Sequence, residues 1–177
     1  FQFKQTNRNQ EYLHWLHRFF SERGYCGIKK PRTRKLVGPK NTVQFYLRGN
    51  TYSYGSLNWL FDAFYIDARK KVPSDQICKV FLTPLALAVW ISDDGDLCPK
   101  GGGLLIATGG FSKVDVLRLC RLLKCVYVLN CRIRYQGKTK SDQQDSYTIY
   151  ILRESGVKLR AIAGPFMRPS MMYKLNF

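Results

Sequence analysis

Acidic residues are scarce in this sequence: 12 Asp and Glu stand against 29 Lys and Arg, a formal net charge of +17 over 177 residues. A surplus of that size repels itself in a compact state and points to a polyanionic partner, nucleic acid before an acidic membrane surface. Long apolar runs are missing as well. None reaches the roughly 18 residues that a spanning helix needs, so no membrane partner is expected. Paired metal-ligand spacings are also lacking: the six cysteines, at 26, 78, 98, 120, 125 and 131, form no C-x-x-C. The two histidines, His14 and His17, stand at i, i+3 without a third ligand at a matching spacing. The cysteines are therefore expected to be isolated buried thiols of a reducing compartment. No signal-peptide pattern is visible, and the chain opens on Phe1 without an initiating methionine, so its true start is expected upstream.

What is present is enough for a core. Hydrophobic residues make up 45% and aromatic residues 14%, which excludes a disordered basic tail and allows one good-sized core or two small halves.

The chain repeats its own order of elements. In the second half, "GLLIATGG" (103–110) reads as a strand and "SKVDVLRLCRLLKCV" (112–126) as a helix. Two alternating strands follow, "CRIRYQ" (131–136) and "SYTIYIL" (146–152), around the polar turn 137–145. The helix "ESGVKLRAIAGPF" (154–166) closes this half. The first half matches it. "FQFKQ" (1–5) is a strand, "NQEYLHWLHRFFSERG" (9–24) a helix ending at Gly24, and "GIKK" (27–30) and "NTVQFYLRG" (41–49) are strands around a basic turn. A helix is expected over "SLNWLFDAFYID" (56–67). Residues 44–47 overlay residues 148–151, and the expected units are 1–80 and 81–177.

One element has no counterpart. "LTPLALAVWISDDGD" (82–96) predicts a helix over 83–94, with Thr83 as N-cap and Pro84 in its first turn. Its apolar residues cover so much of the circumference that both sides are expected to be buried. Ala86, Ala88 and Ser92 leave room for another backbone to approach. The helix ends in Asp93, Asp94 and Gly95, and carboxylates there oppose the negative end of the helix dipole. Acids set against their local field ask for a cation, and an oxygen-ligand metal such as Mg²⁺ suits them. The same "DDGD" also reads as an ordinary acidic turn.

"LALAVWISDDG" (85–95) resembles the signature helix of the LAGLIDADG homing endonucleases and their intron-maturase relatives. The preceding "LTP" and the "MMYKL" at 171–175 resemble the mitochondrial intron-encoded branch, and the likeness covers nearly the whole chain. It implies an α+β fold of two pseudo-symmetric α-β-β-α-type units with saddle-shaped antiparallel sheets and a central signature helix. The first signature helix is missing from this chain. The family's metal-binding acid falls on Asp94, so the resemblance implies Asp94 as metal ligand and catalytic residue with Mg²⁺, or another divalent cation, as cofactor. It implies Lys174 and Lys70 as the catalytic lysines, with Lys71 as the alternative to Lys70. Metal ions would activate water and stabilise the departing oxygen, and the lysines would stabilise the transition-state charge.

The strands supply a binding surface. Arg132, Arg134 and Gln136 share one face of their strand, with Lys138 just beyond, and Arg and Gln suit the reading of guanine and adenine edges. Gln2, Lys4 and Thr6 make a similar face on the first strand, and Gln44 and Tyr46 on a later one. The turn 29–40 carries Lys29, Lys30, Arg32, Arg34, Lys35 and Lys40 without an acid, as an arm that could track phosphates.

The expectation is a site-specific, Mg²⁺-dependent double-strand DNA endonuclease, intron-encoded and mitochondrial. Its rivals are an RNA-binding intron maturase and a catalytically inactive structural component of a ribonucleoprotein. The partner is duplex DNA, or intron or ribosomal RNA. The protein would be a monomer if an upstream helix completes the first unit, and otherwise would need a second chain or a ribonucleoprotein.

Overall fold

The computed structural model describes residues 1–38, 41–67, 69–99, 102–138 and 144–177. These group into two units, Phe1–Ser56 with Arg168–Met171, and Leu57–Met167 with Met172–Phe177.

The first unit is one helix on a three-stranded antiparallel sheet. The strands β1 (Gln2–Thr6), β2 (Thr33–Val37) and β3 (Val43–Asn50) lie in the order β1-β3-β2. Helix α1 (Gln10–Ser21) buries Tyr12, Leu13, Leu16 and His17, the i, i+1, i+4, i+5 stripe of an amphipathic helix. Phe3 stacks on Phe20 at 5.6 Å and covers Gly49, where a Cβ would come within 2.2 Å of the ring. Only glycine fits there. Gly24 follows α1 at φ +75°, the left-handed residue that lets the chain turn away. Residues 168–171 are tied to α1 through Glu11, which accepts from Arg168 at 3.1 Å and from the Ser170 N–H at 3.1 Å.

The strand expected at 27–30 lies instead at Thr33–Val37. Pro31 cannot donate to a ladder, and Ile28 is 90% exposed, whereas Thr33 and Val37 are β-branched and pair with Leu47 and Val43. The basic run hides this strand. Arg34 and Lys35 therefore sit on a strand rather than in a turn. Lys40 lies outside the described residues.

The second unit carries most of the buried apolar side chains. Its early elements are α2 (Asn58–Phe64), the short hairpin β4 (Tyr65–Ile66) and β5 (Arg69–Lys70), and α3 (Asp75–Phe81). Then come α4 (Pro84–Asp94), β6 (Gly95–Leu97), β7 (Leu104–Ala107), α5 (Lys113–Tyr127), β8 (Cys131–Lys138), β9 (Asp145–Ile151) and α6 (Gly156–Ala163). The four-stranded antiparallel sheet runs β6-β7-β9-β8. Leu104 and Ile106 of β7 and Ile149 and Ile151 of β9 are fully buried on the face covered by α5, together with Val116, Leu122 and Leu123. Burying each such side chain stabilises the fold by about 1.5–3 kcal/mol.

Three features of this unit were not expected. The helix predicted over 56–67 is shorter and turns into β4. Helix α3 is a separate helix: Ser74 caps it by accepting from the Ile77 N–H, and Arg118 of α5 binds the Pro73 carbonyl at 2.8 Å and Asp75 at 2.8 Å. Strand β6 continues directly from α4.

The predicted caps of α4 are in place, with the Thr83 hydroxyl accepting from the Ala86 N–H and Pro84 at the first helical position. The helix buries Leu87, Ala88, Ile91 and Ser92, packing on α6 and β7, while Leu85, Ala86, Val89 and Trp90 are half-buried. One face is fully covered and the other partly. All six cysteines are free, Cys26 and Cys98 buried as expected but Cys125 exposed. Among the described residues no single helix is long and apolar enough to cross a membrane.

Candidate active site and nucleic-acid interface

The acidic end of α4 is neutralised from within. Lys174 is 5% exposed and its Nζ donates to the carbonyls of Ser92 at 2.6 Å and Ile91 at 3.3 Å. Those carbonyls belong to the last turn of α4, so the ammonium caps the negative end of the dipole. Burial pulls the Lys174 ammonium below the usual lysine range, and the charges of Asp93, Asp96 and Asp94 pull it back. Gly95 completes the cap, its N–H donating to Ile91 O. A Cβ on Gly95 would meet that oxygen at 2.5 Å. Here glycine serves close approach, since its φ is −80°.

Asp94 is the last residue of α4. The residue is exposed, yet partial desolvation at the helix end raises its carboxyl above the ordinary aspartate range, with Lys70 and then Lys174 acting against the rise. Asp94 makes no direct ion pair with either lysine among the described residues. The structure thus brings together all three residues predicted for catalysis. The two lysines differ sharply. Lys174 is buried and bound to the helix, whereas Lys70 on β5 is exposed, its stem running past Gly110 with Nζ 5.9 Å from the Phe111 ring.

Among the described residues no three His, Cys, Asp or Glu side chains converge on one point. Mg²⁺ does not require such a cage, because it binds one or two carboxylates and fills its shell with water and phosphate oxygens. Asp94, a hard oxygen donor at the end of a helix, fits that ligand type.

The sheet faces follow from the register. In the second unit, Tyr150 lies opposite Arg132 and Leu105, and Thr148 opposite Arg134 and Ala107. These residues share the face that the buried Ile149 and Ile151 turn away from. Gln136 joins them by donating to the Thr148 hydroxyl at 2.9 Å, and Lys138 ends β8 opposite Asp145. Arg132, Arg134 and Gln136 are exposed on this surface, as predicted, whereas the bulge between Tyr135 and Gly137 turns Lys138, also exposed, to the other face.

In the first unit, Leu47 marks the buried face of the sheet. The other face carries Gln2, Lys4, Thr6, Gln44, Tyr46 and Arg34, together with Arg48, which sequence reasoning did not single out. Lys35 points to the opposite face from Arg34. Lys29, Lys30 and Arg32 are exposed in the segment before β2.

Comparison with known proteins bears on these faces. The family model described as the LAGLIDADG DNA endonuclease family matches residues 1–159. The chain is 36% identical to the cytochrome b mRNA maturase bI2 of Saccharomyces cerevisiae, over 98% of this chain but 41% of that protein. It is 34% identical to the intron-encoded endonuclease ai4 of Dictyostelium discoideum, over 91% of this chain and 98% of that protein. A solved structure of the homing endonuclease I-WcaI bound to its DNA recognition sequence matches with a TM-score of 0.83 and 25% identity, covering 99% of this chain and 74% of that one. The chain thus spans less than half the length of the yeast maturase.

Proposed function

Since the chain belongs to the LAGLIDADG DNA endonuclease family, we propose that it is a sequence-specific nucleic-acid-binding protein that hydrolyses duplex DNA in a divalent-metal-dependent reaction. The observation that carries the reading is the end of α4, where the Asp94 carboxylate lies within the electrostatic reach of Lys70 and Lys174. Asp94 would hold Mg²⁺, and the metal supplies Lewis-acid chemistry to phosphodiester hydrolysis. Lys174 fixes the helix end from which Asp94 projects. Lys70, exposed and free to change rotamer, is the group able to reach a phosphate and stabilise charge that develops in the transition state. The exposed lysines and arginines before β2 would track the backbone, and Arg132, Arg134 and Gln136 would meet base edges.

An intron maturase is the second reading, favoured by the 36% identity to a protein named as an mRNA maturase. It uses the same basic faces on intron RNA and needs no cleavage. Both readings imply an organellar, mitochondrial setting for an intron-encoded protein, and a binding-only component of a ribonucleoprotein is the limiting case of the second. The two are separated by incubating the protein with a randomised duplex library in Mg²⁺. Scission at one recurrent sequence supports the nuclease. Binding to intron RNA with accelerated splicing, and no scission of any duplex, replaces it with the maturase.

A further inference from the structure

Two tyrosines with no part in hydrolysis occupy matched places in the two sheets. Tyr46 and Tyr150 stand at equivalent positions of the overlaid runs 44–47 and 148–151. Each lies on the polar face of its sheet and carries a cation on its ring. The Cζ of Arg134 is 4.7 Å from the Tyr150 centroid, and the Nζ of Lys4 is 4.2 Å from that of Tyr46. In neither case is the cation the directly opposed residue. Tyr150 faces Arg132 across the β8–β9 ladder, and Arg134 reaches it from the next pair along. Tyr46 faces Thr6 across the β1–β3 ladder, and Lys4 reaches it from the next pair along. The same diagonal placement recurs, although the cation comes from a different strand each time.

In the second unit a further group holds the cation. Arg134 Nη1 donates to Cys98 Sγ at 3.0 Å, and Cys98 is buried just after β6, the opposite edge strand from β8. The guanidinium is thereby drawn across β9. Among the described residues neither Lys4 nor Arg134 is paired with a carboxylate. An exposed Arg or Lys loses up to about 2 kcal/mol of rotamer freedom when it is ordered, and a sheet has no structural need to order one. Ordering beforehand is useful to a side chain that must present its donors to a partner in one orientation.

We propose that Tyr150 with Cys98, and Tyr46 in the other sheet, are positioning residues for specificity, holding Arg134 and Lys4 as pre-oriented readers of guanine edges. Arg and Lys favour the O6 and N7 acceptors that guanine offers in the major groove, and a ring beneath the cation fixes its approach without neutralising it. The inference rests on the proposed reading of DNA by these sheet faces.

The test is selection from a randomised duplex pool, with thermal melting of each variant measured alongside. Arg134→Ala should abolish the preference for guanine at one position. Tyr150→Leu should weaken it at that same position by about tenfold, equivalent to ~1.4 kcal/mol, while Tyr150→Phe, which keeps the ring, retains it. Cys98→Ala should weaken the same position by a smaller factor, and Tyr46→Leu should act at a different one. Dependence of binding on salt should not change in any of them. Tyr150→Leu leaving the Arg134 position untouched, or eroding every position alike, overturns the inference while leaving the function intact. A parent without preference at any position overturns the DNA-reading function, and the inference with it.

Discussion

The two sheets answer the same repeated pattern with different degrees of burial. In the second unit Leu104, Ile106, Ile149 and Ile151 of β7 and β9 are sealed under α5, although Tyr135 further along the same face of β8 is 58% exposed. In the first unit β2 is exposed along its whole length, and Val37, Val43 and Phe45, which share the face of the buried Leu47, remain 57%, 47% and 52% exposed. One half is built around a core and the other around an accessible surface. The difference teaches that alternation in a sequence sets which residues share a face, while the length of the covering helix sets how far along the strands that face is buried.

Truncation should give the largest separation between the two regions. Leu87→Ala, in the packed part of α4, should cost about 2–5 kcal/mol by chemical denaturation, whereas Phe45→Ala in the exposed stretch of β3 should stay within about 0.5 kcal/mol. Equal costs would break the comparison and mean that the hairpin face is covered in solution. The two lysines offer the next contrast. Lys70→Met should lower the cleavage rate about 10²–10³-fold at unchanged stability, the usual loss when one charge-stabilising donor is removed. Lys174→Met should lower the rate and also the unfolding free energy, by about 1–3 kcal/mol, because two carbonyls of α4 lose their donor. A Lys174 variant with full stability would contradict its role as a helix cap.

Much of this was legible beforehand, and the reasons are specific. Helix α4 was readable because Thr83, Pro84 and the acidic end punctuate it, and α5 because its apolar residues keep helical spacing. The faces of β8 and β1 were readable because alternation survives there. Strand β2 was hidden by a basic run that looks like a loop, and α3 by its short length between two prolines. The bonding of Lys174 to the last carbonyls of α4 was hidden as well. A metal was the evident candidate in sequence; in the fold two lysines also act on Asp94, Lys70 and then Lys174, the second bonded to the helix end from about eighty residues away in the chain. Cys98 as a partner of Arg134 is likewise a product of tertiary placement, with no local signal. The matched runs that contain Tyr46 and Tyr150 were the clue to the two tyrosine–cation pairs.

Smaller effects sharpen the contrast between the basic segment and the sheet. Replacing Lys29, Lys30 and Arg32 together should flatten the log–log salt dependence of duplex affinity by about 0.9 for each phosphate no longer neutralised, with little change in base preference. Arg132→Ala should instead relax preference at one position by about 1–3 kcal/mol. Like behaviour of the two sets would erase the division between tracking and reading. The smallest expected effect is electrostatic. Because the folded Asp94 carboxyl titrates above 3.8, the native state keeps a proton that the unfolded chain has already released. Stability contributed by that group therefore falls as pH rises from 3.8 through the raised value. Without metal, Asp94→Asn should remove this slope and slightly raise the melting midpoint at neutral pH; a lower midpoint would contradict the partial desolvation of the carboxylate at the helix end.

The most direct test of the central claim is strand cleavage by the parent and by Asp94→Asn, assayed with Mg²⁺ and with Ca²⁺ beside metal-free binding to the same duplex. The account predicts that the parent cuts one sequence in Mg²⁺. It also predicts that the variant cuts none, and that metal-free affinity is unchanged or slightly higher once a negative charge beside the polyanion is gone. A parent that binds and never cuts, or a variant that cuts as the parent does, would contradict it.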